Sequence, residues 1–122
     1  PQTRLEIYVE VLSGVDDKLR HGEAQIAIHH MIPSGMVGEP IIDLEFVRVA
    51  HPDHPLHHIG RAIYHSDMKL HRQIVIRDSV SYRRENRGYL GSDQRWTVPN
   101  MREALGLLKL GFGSGVLARS IA

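Results

Sequence analysis

The stretch RWTVPNMREALGLLKLGFGSGVL, residues 95–117, decides the fold because it predicts a strand, a helix and a second strand in direct succession. Asn100 is a suitable N-cap and Glu103 stands three residues later to reach back to it, which predicts a helix that begins at Met101. Gly111 supplies a left-handed exit after Leu110. The apolar residues between form one stripe at helical spacing: Met101, Ala104, Leu105, Leu107 and Leu108. The stretch is therefore predicted to be a strand-helix-strand unit.

A second unit of the same kind opens the chain. Apolar and polar residues alternate over residues 5–11, which is the period of a strand with one buried face. Ser13 is predicted to cap a short helix, with Asp16 completing a capping box, and Gly22 is predicted to end this helix before an apolar strand over residues 24–28. Two such units predict an α/β fold with a mostly parallel sheet.

The middle of the chain contains weaker signals. Residues 31–40 carry two prolines and two glycines, which predicts an exposed connection. Strands are predicted over residues 41–51 and 72–77, the second buried on both faces, and Ser66 is a plausible cap for a short helical turn between them. Residues 79–95 are polar and rich in arginine, which suggests a short surface helix.

Length and composition indicate a single soluble domain of 122 residues. The apolar runs are far shorter than the ~20 residues that span a bilayer, so we expect no membrane partner. Zero cysteines exclude disulfides and thiolate metal sites and are compatible with a cytoplasmic location. Fifteen basic against fourteen acidic residues give a net charge of +1, which predicts no bulk attraction to nucleic acid.

Several motifs resemble the effector-binding domain of LysR-type transcriptional regulators. LRHGEAQIAI, residues 19–28, is similar to that family's L-x-x-G-x-x-D-x-A-I motif, with Gln25 in place of the usual aspartate. LEFVRVAHPDHPL, residues 44–56, is similar to the crossover strand and its H-P-L turn. GFGSGVL, residues 111–117, is similar to a G-x-G-x-G-x-L-P element in which Ala118 replaces the proline. These motifs occur in the family's order over nearly the whole chain.

The resemblance implies the α/β fold of type II periplasmic binding proteins, which has two subdomains. It places residues 1–43 in part of the first subdomain and residues 44–122 in a nearly complete second subdomain that includes the crossover strand. In that family a winged helix-turn-helix stands at the N-terminus, and no stretch of this sequence fits that element. We therefore expect a fragment that contacts promoter DNA only through an absent N-terminal domain.

The resemblance also implies a regulatory function without catalysis or cofactors. The mechanism that it implies is a small effector that binds between the subdomains and favours one arrangement of them, which changes how a dimer or tetramer places its DNA-binding domains. The strand over residues 5–11 and the helix over residues 101–110 are candidate surfaces for this self-association. Two alternatives stay open, namely a stand-alone solute-binding module with no DNA partner and an oligomerising scaffold that binds no ligand.

Ligands of open α/β sheets bind where the strands end at their carboxyl edge, because loops and helix N-termini meet there. Small hydroxyls and backbone N–H groups at helix starts suit an anionic ligand such as a carboxylate. Residues carried over by position from the resembled family are the candidates for effector binding: Ser13, His30, Asp78 and Ser79, followed by His29 and Asn100.

Each of these candidates also has a structural interpretation. Ser13 and Asn100 could act as helix caps alone, and Asp78 could form a local turn hydrogen bond with its neighbour. His29 and His30 point to opposite faces if the preceding strand continues, so at most one of them should line a cleft.

Three other groups of residues give weaker evidence for a binding site. Four histidines lie close together, but two intervening prolines prevent helical alignment of metal ligands and no cysteine assists, so we predict no metal site: His51, His54, His57 and His58.

Five arginines could bind an anion together, although such a run usually forms an exposed, solvated surface: Arg77, Arg83, Arg84, Arg87 and Arg95. The glycines from Gly111 to Gly115 follow a helix, which is the reverse of the dinucleotide-binding order, so they predict close backbone packing.

Overall fold

The computed structural model describes residues 2–78 and 91–122. Within these residues it contains three α-helices and four β-strands. The helices are α1 (Ser13–Arg20), α2 (His65–Lys69) and α3 (Met101–Lys109), and the strands are β1 (Phe46–Ala50), β2 (Gln73–Ile76), β3 (Arg95–Val98) and β4 (Ser114–Ala118). Short 3₁₀ turns occupy Pro55–His58 and Arg119–Ile121.

The strands form one sheet in the order β1-β4-β2-β3. The central strand β2 runs parallel to β3 and to β4, whereas β1 runs antiparallel to β4. The register pairs Ile76 with Val98 and Gln73 with Ser114, so β2, β3 and β4 all end at the same edge. The predicted α/β class with mostly parallel pairing agrees with this sheet.

The core lies between α3 and the sheet. Its buried members come from β2, β3, α3 and β4: Ile74, Val98, Ala104, Leu108 and Leu117. The Asn100 side chain accepts a hydrogen bond from the Glu103 backbone N–H at 3.0 Å, and α3 begins at Met101 as predicted. Gly111 has a φ of 83°, which confirms the left-handed exit that ends this helix.

The glycines before and within β4 let that strand approach its neighbours closely. A Cβ atom at Gly113 would lie 2.7 Å from the Arg72 carbonyl oxygen, and one at Gly115 would lie 3.2 Å from the Leu108 side chain. The glycine spacing therefore has the packing role that the sequence indicates, because a Cβ atom would collide with the backbone at Gly113 and press on the Leu108 side chain at Gly115.

The strands predicted over residues 5–11 and 24–28 are absent, and this prediction is wrong. Leu5, Ile7 and Val9 are 81–86% exposed, and Ile26 and Ile28 are 82–88% exposed. A strand needs a neighbouring strand to pair with its backbone N–H and C=O groups. The alternation of apolar and polar residues shows only which side of a strand could be buried and does not provide that neighbour. Within residues 2–78 and 91–122 neither segment pairs with another strand.

Helix α1 forms where it was predicted, but its capping differs. Ser13 is the first helical residue, and the N-cap position belongs to Leu12, which has φ 51° and ψ −117° and makes no side-chain cap. The capping box between Ser13 and Asp16 is therefore wrong, because the Ser13 hydroxyl bonds to a carboxylate on another element. Gly22, with a φ of 70°, follows the end of the helix as expected.

The remaining elements form with shorter bounds than predicted. Strand β1 covers Phe46–Ala50 instead of residues 41–51, and β2 covers Gln73–Ile76, buried on both faces up to Val75. Helix α2 begins at His65 and is capped by the Asp67 carboxylate, which accepts the Tyr64 backbone N–H at 2.8 Å, so Ser66 is not its cap. The predicted surface helix falls largely on residues 79–90, which lie outside the described residues.

Candidate functional site

A contact between Ser13 and Asp78 lies at the centre of the candidate site. Asp78 follows the carboxyl end of β2, and its Oδ2 accepts a hydrogen bond from the Ser13 hydroxyl and a longer one, at 3.3 Å, from the Ser13 backbone N–H. Both side chains are among the most deeply buried of the described residues, at 2% and 1% exposure. The contact joins α1 to the sheet across 65 residues of sequence.

The backbone before Ser13 explains how its donors reach the sheet. Leu12 is the one described residue other than glycine with a positive φ, at 51°. This conformation is costly for a branched side chain and persists only where the surroundings enforce it. It turns the chain sharply into α1, so that the first N–H of the helix and the Ser13 hydroxyl face the same carboxylate oxygen. A carboxylate there is also favoured by the positive end of the helix dipole.

His29 and His30 lie beside the same helix. His29 Nε2 is 3.2 Å from Asp16 Oδ1, on the first turn of α1, and the two side chains are only 9% and 16% exposed. The rings of His29 and His30 meet edge to face with centroids 4.3 Å apart. The expectation that the two rings face opposite sides depended on a strand through residues 24–28, and this strand does not form.

Asn100 reaches the same edge of the sheet from the neighbouring strand. Asp78 stands two residues beyond Ile76 and Asn100 two residues beyond Val98, and these two strand ends are paired. The Asn100 side chain is engaged as the cap of α3, which agrees with its structural interpretation. Its place nevertheless brings the start of a second helix to the carboxyl edge.

The structure thus brings together most of the predicted site. Ser13 and Asp78 are in direct contact, and Asn100 shares the carboxyl edge. His29 lies against the first turn of α1, and His30 packs against His29. Ser79 lies outside the described residues, as do Arg83, Arg84 and Arg87. The sequence did not reveal Asp16 as a member of this site. Its spacing from Ser13 matches a capping box, and nothing local in the sequence indicates its contact with His29.

The chemistry of this arrangement is polar recognition. A helix N-terminus, a hydroxyl and imidazole groups can hold an anion or exchange hydrogen bonds with a small polar molecule. Among residues 2–78 and 91–122, no group of three histidine or carboxylate side chains converges as a metal site would require. In the same part of the chain, no helix is long and apolar enough to cross a membrane.

A comparison with known families adds to this geometry. The model of a family described as the LysR substrate binding domain matches residues 1–122, which include every motif on which the resemblance was based. A comparison with curated proteins finds no match. Domains of the matched family are regulatory and sense ligands, and the α/β sheet found here is compatible with their fold. The chain therefore belongs to the family of LysR substrate-binding domains, the ligand-sensing part of LysR-type transcriptional regulators.

Proposed function

We propose that the chain binds a small anionic effector where residues 1–43 meet residues 44–122, which we interpret as parts of the first and second subdomains. The observation that carries this proposal is the Asp78 carboxylate on the first turn of α1. Ser13 donates both its hydroxyl and its backbone N–H to this group. A carboxylate is thus accommodated at the junction by donors of α1 itself.

The effector carboxylate competes with Asp78 in this proposal. The donors of Ser13 and the dipole of α1 favour any carboxylate in that place, whether it belongs to the chain or to a ligand. An effector that displaces Asp78 removes a contact between the two parts of the chain and replaces it with its own. Binding then favours a different arrangement of the parts, because the effector has different affinity for the two.

The other candidates surround this position. His29 lies beside the first turn of α1 with His30 packed against it, and the two would contact the polar remainder of the effector. Asn100 adds an amide at the same sheet edge, and Ser79 is included on the resemblance alone. The proposed output is a change in a dimer or tetramer that repositions promoter-binding domains elsewhere in a cytoplasmic regulator, with no catalysis.

The proposal is tested by titrating the protein with acetate, succinate and benzoate while the amide resonances of α1 are followed by NMR. We expect at least one acid to shift the Ser13 amide. The Ser13→Ala variant should weaken its binding about tenfold or more, because a hydrogen bond to a charged group contributes about 1.5–3 kcal/mol. Ser66→Ala, which removes an exposed hydroxyl from the first turn of α2, is the matched control and should bind normally.

Asp78→Asn gives a prediction of the opposite sign. Loss of the competing charge should tighten binding of the same acid, whereas a purely structural role for Asp78 would weaken it or leave it unchanged. The proposal fails if none of the three acids moves the α1 amides, or if Ser13→Ala and Ser66→Ala bind equally well.

A further inference from the structure

A second group of titratable side chains lies away from the candidate site, where the chain turns from β1 towards β2. We call His54, His57 and His71 the histidine cluster. The rings of His54 and His71 meet edge to face with centroids 5.2 Å apart. His54 is only 7% exposed and stands immediately before the 3₁₀ turn Pro55–His58. A buried imidazole packed against another imidazole is poorly placed to carry a charge, although histidine ordinarily gains a proton near neutral pH.

The hydrogen bonds assign the protons of this cluster. His54 Nδ1 accepts the backbone N–H of Leu56 at 3.1 Å, so this nitrogen carries no proton in the structure. His57 Nε2 lies 3.2 Å from the Ala50 carbonyl oxygen, which can only accept, so His57 donates there. His54 therefore holds the start of the 3₁₀ turn, and His57 ties the same turn to the end of β1.

The surroundings of His54 disfavour its charged form. Burial lowers its pKa from the ordinary value of 6.5, and the nearby His71 and His57 lower it further. The carboxylate of the adjacent residue Asp53 is 92% exposed and lies 3.8 Å from His51 Nδ1. The described groups that act on the charge of His54 are thus His71 and His57, whose charged forms disfavour a second charge there. The Asp67 carboxylate of α2 interacts with His71 and is already paired with Arg61 at 2.7 Å.

We propose that the histidine cluster is a pH-sensitive switch, in which proton uptake by His54 opens the 3₁₀ turn Pro55–His58 and releases the end of β1. A proton on His54 Nδ1 replaces an acceptor with a donor, which then faces the Leu56 N–H. The turn loses its cap, and the Leu56 side chain, now 5% exposed, loses its buried place. The His57 contact with Ala50 is lost with the turn, which loosens the residue that pairs with Ser114 of β4.

The switch is tested by native-state hydrogen exchange of the Leu56 amide between pH 7 and pH 5, expressed as a protection factor so that the intrinsic pH dependence is removed. We expect protection to fall with acidification, by up to about tenfold for each unit by which the pKa of His54 is lowered. Amides of α3 should keep their protection, because none of the hydrogen bonds or the ring contact of the cluster involves that helix. Constant Leu56 protection across this range would overturn the proposal.

Two variants separate proton uptake from loss of the cap. His54→Asn keeps an acceptor at the cap position, since asparagine is a preferred N-cap, but it does not titrate. Its Leu56 amide should therefore be protected as in the unmodified protein at pH 7 and should stay protected at pH 5. His58→Gln removes an exposed histidine of the same turn and should leave the response intact. A response in His54→Asn equal to that of the unmodified protein would show that another group is responsible.

Discussion

Replacement of Gly113 by alanine should destabilise the protein by an amount that follows from one distance. The added Cβ atom would lie 2.7 Å from the Arg72 carbonyl oxygen, so the two must separate by about 0.7 Å to reach an ordinary contact of 3.4 Å. The same oxygen accepts the Ser114 backbone N–H at 3.0 Å, and this separation would break that hydrogen bond. Overpacking at about 1–3 kcal/mol and a lost hydrogen bond at about 1 kcal/mol together predict a loss of about 2–4 kcal/mol.

The assay is urea unfolding at constant pH, followed by circular dichroism, with the free energy of unfolding obtained by linear extrapolation. Gly106→Ala is the matched control, because this glycine lies within α3 and a Cβ atom there meets nothing within 4 Å. That variant should gain about 0.5–1 kcal/mol, since alanine is the better helix former. A Gly113→Ala variant as stable as the unmodified protein would refute the view that β4 requires glycine for its approach to β2.

Three further predictions concern α2 and α3. Arg61 and a backbone amide lower the pKa of Asp67 from 3.8 to about 2, so its folded form binds fewer protons than its unfolded form. The contribution of Asp67 to stability should be present above pH 3.8 and should be lost as the pH falls through about 2. The unmodified protein should therefore have a higher urea midpoint than Asp67→Asn above pH 3.8, and this difference should shrink as the pH falls to about 2. Leu108→Ala should cost about 2–5 kcal/mol in urea unfolding, because this side chain is 4% exposed, whereas Leu110→Ala, at a position that is 72% exposed, should cost far less. Asn100→Ala should lower the free energy of unfolding by about 1 kcal/mol through loss of the cap, and an unchanged urea midpoint would contradict that role.

Local signals predicted the elements that are stabilised locally. Helix α3 forms at the predicted residues because its cap, apolar stripe and terminal glycine all lie within the same short stretch. Residues 5–11 have an equally clear pattern, yet they form no strand, because a strand depends on a partner that its own sequence does not specify. The boundaries of β1 differ from the prediction for the same reason, since pairing with β4 determines its length.

The candidate site shows the same division. The rule that ligands bind at the carboxyl edge of parallel strands placed Asp78 and Asn100 at one edge, and the paired ends of β2 and β3 agree with this placement. It placed Ser13 there on the basis of a preceding strand that does not form, and Ser13 reaches the edge through its contact with Asp78 instead. It could not predict that Ser13 bonds directly to Asp78, because this contact depends on the unusual backbone of Leu12. The contact between Asp16 and His29 could not be predicted from the local sequence either. The pattern around Asp16 matched a capping box, which accounted for this aspartate without a contact to a distant residue.

The separation between Ser13 and Asp78 has a consequence for synthesis on the ribosome. Asp78 is translated 65 residues after Ser13, so at about 5–20 residues per second α1 emerges about 3–13 s before the carboxylate that holds its first turn. The strained backbone at Leu12 has no such support during that interval. We therefore expect α1 to take its final form late, after β2 has left the exit tunnel, although it is the first helix of the described chain to be made.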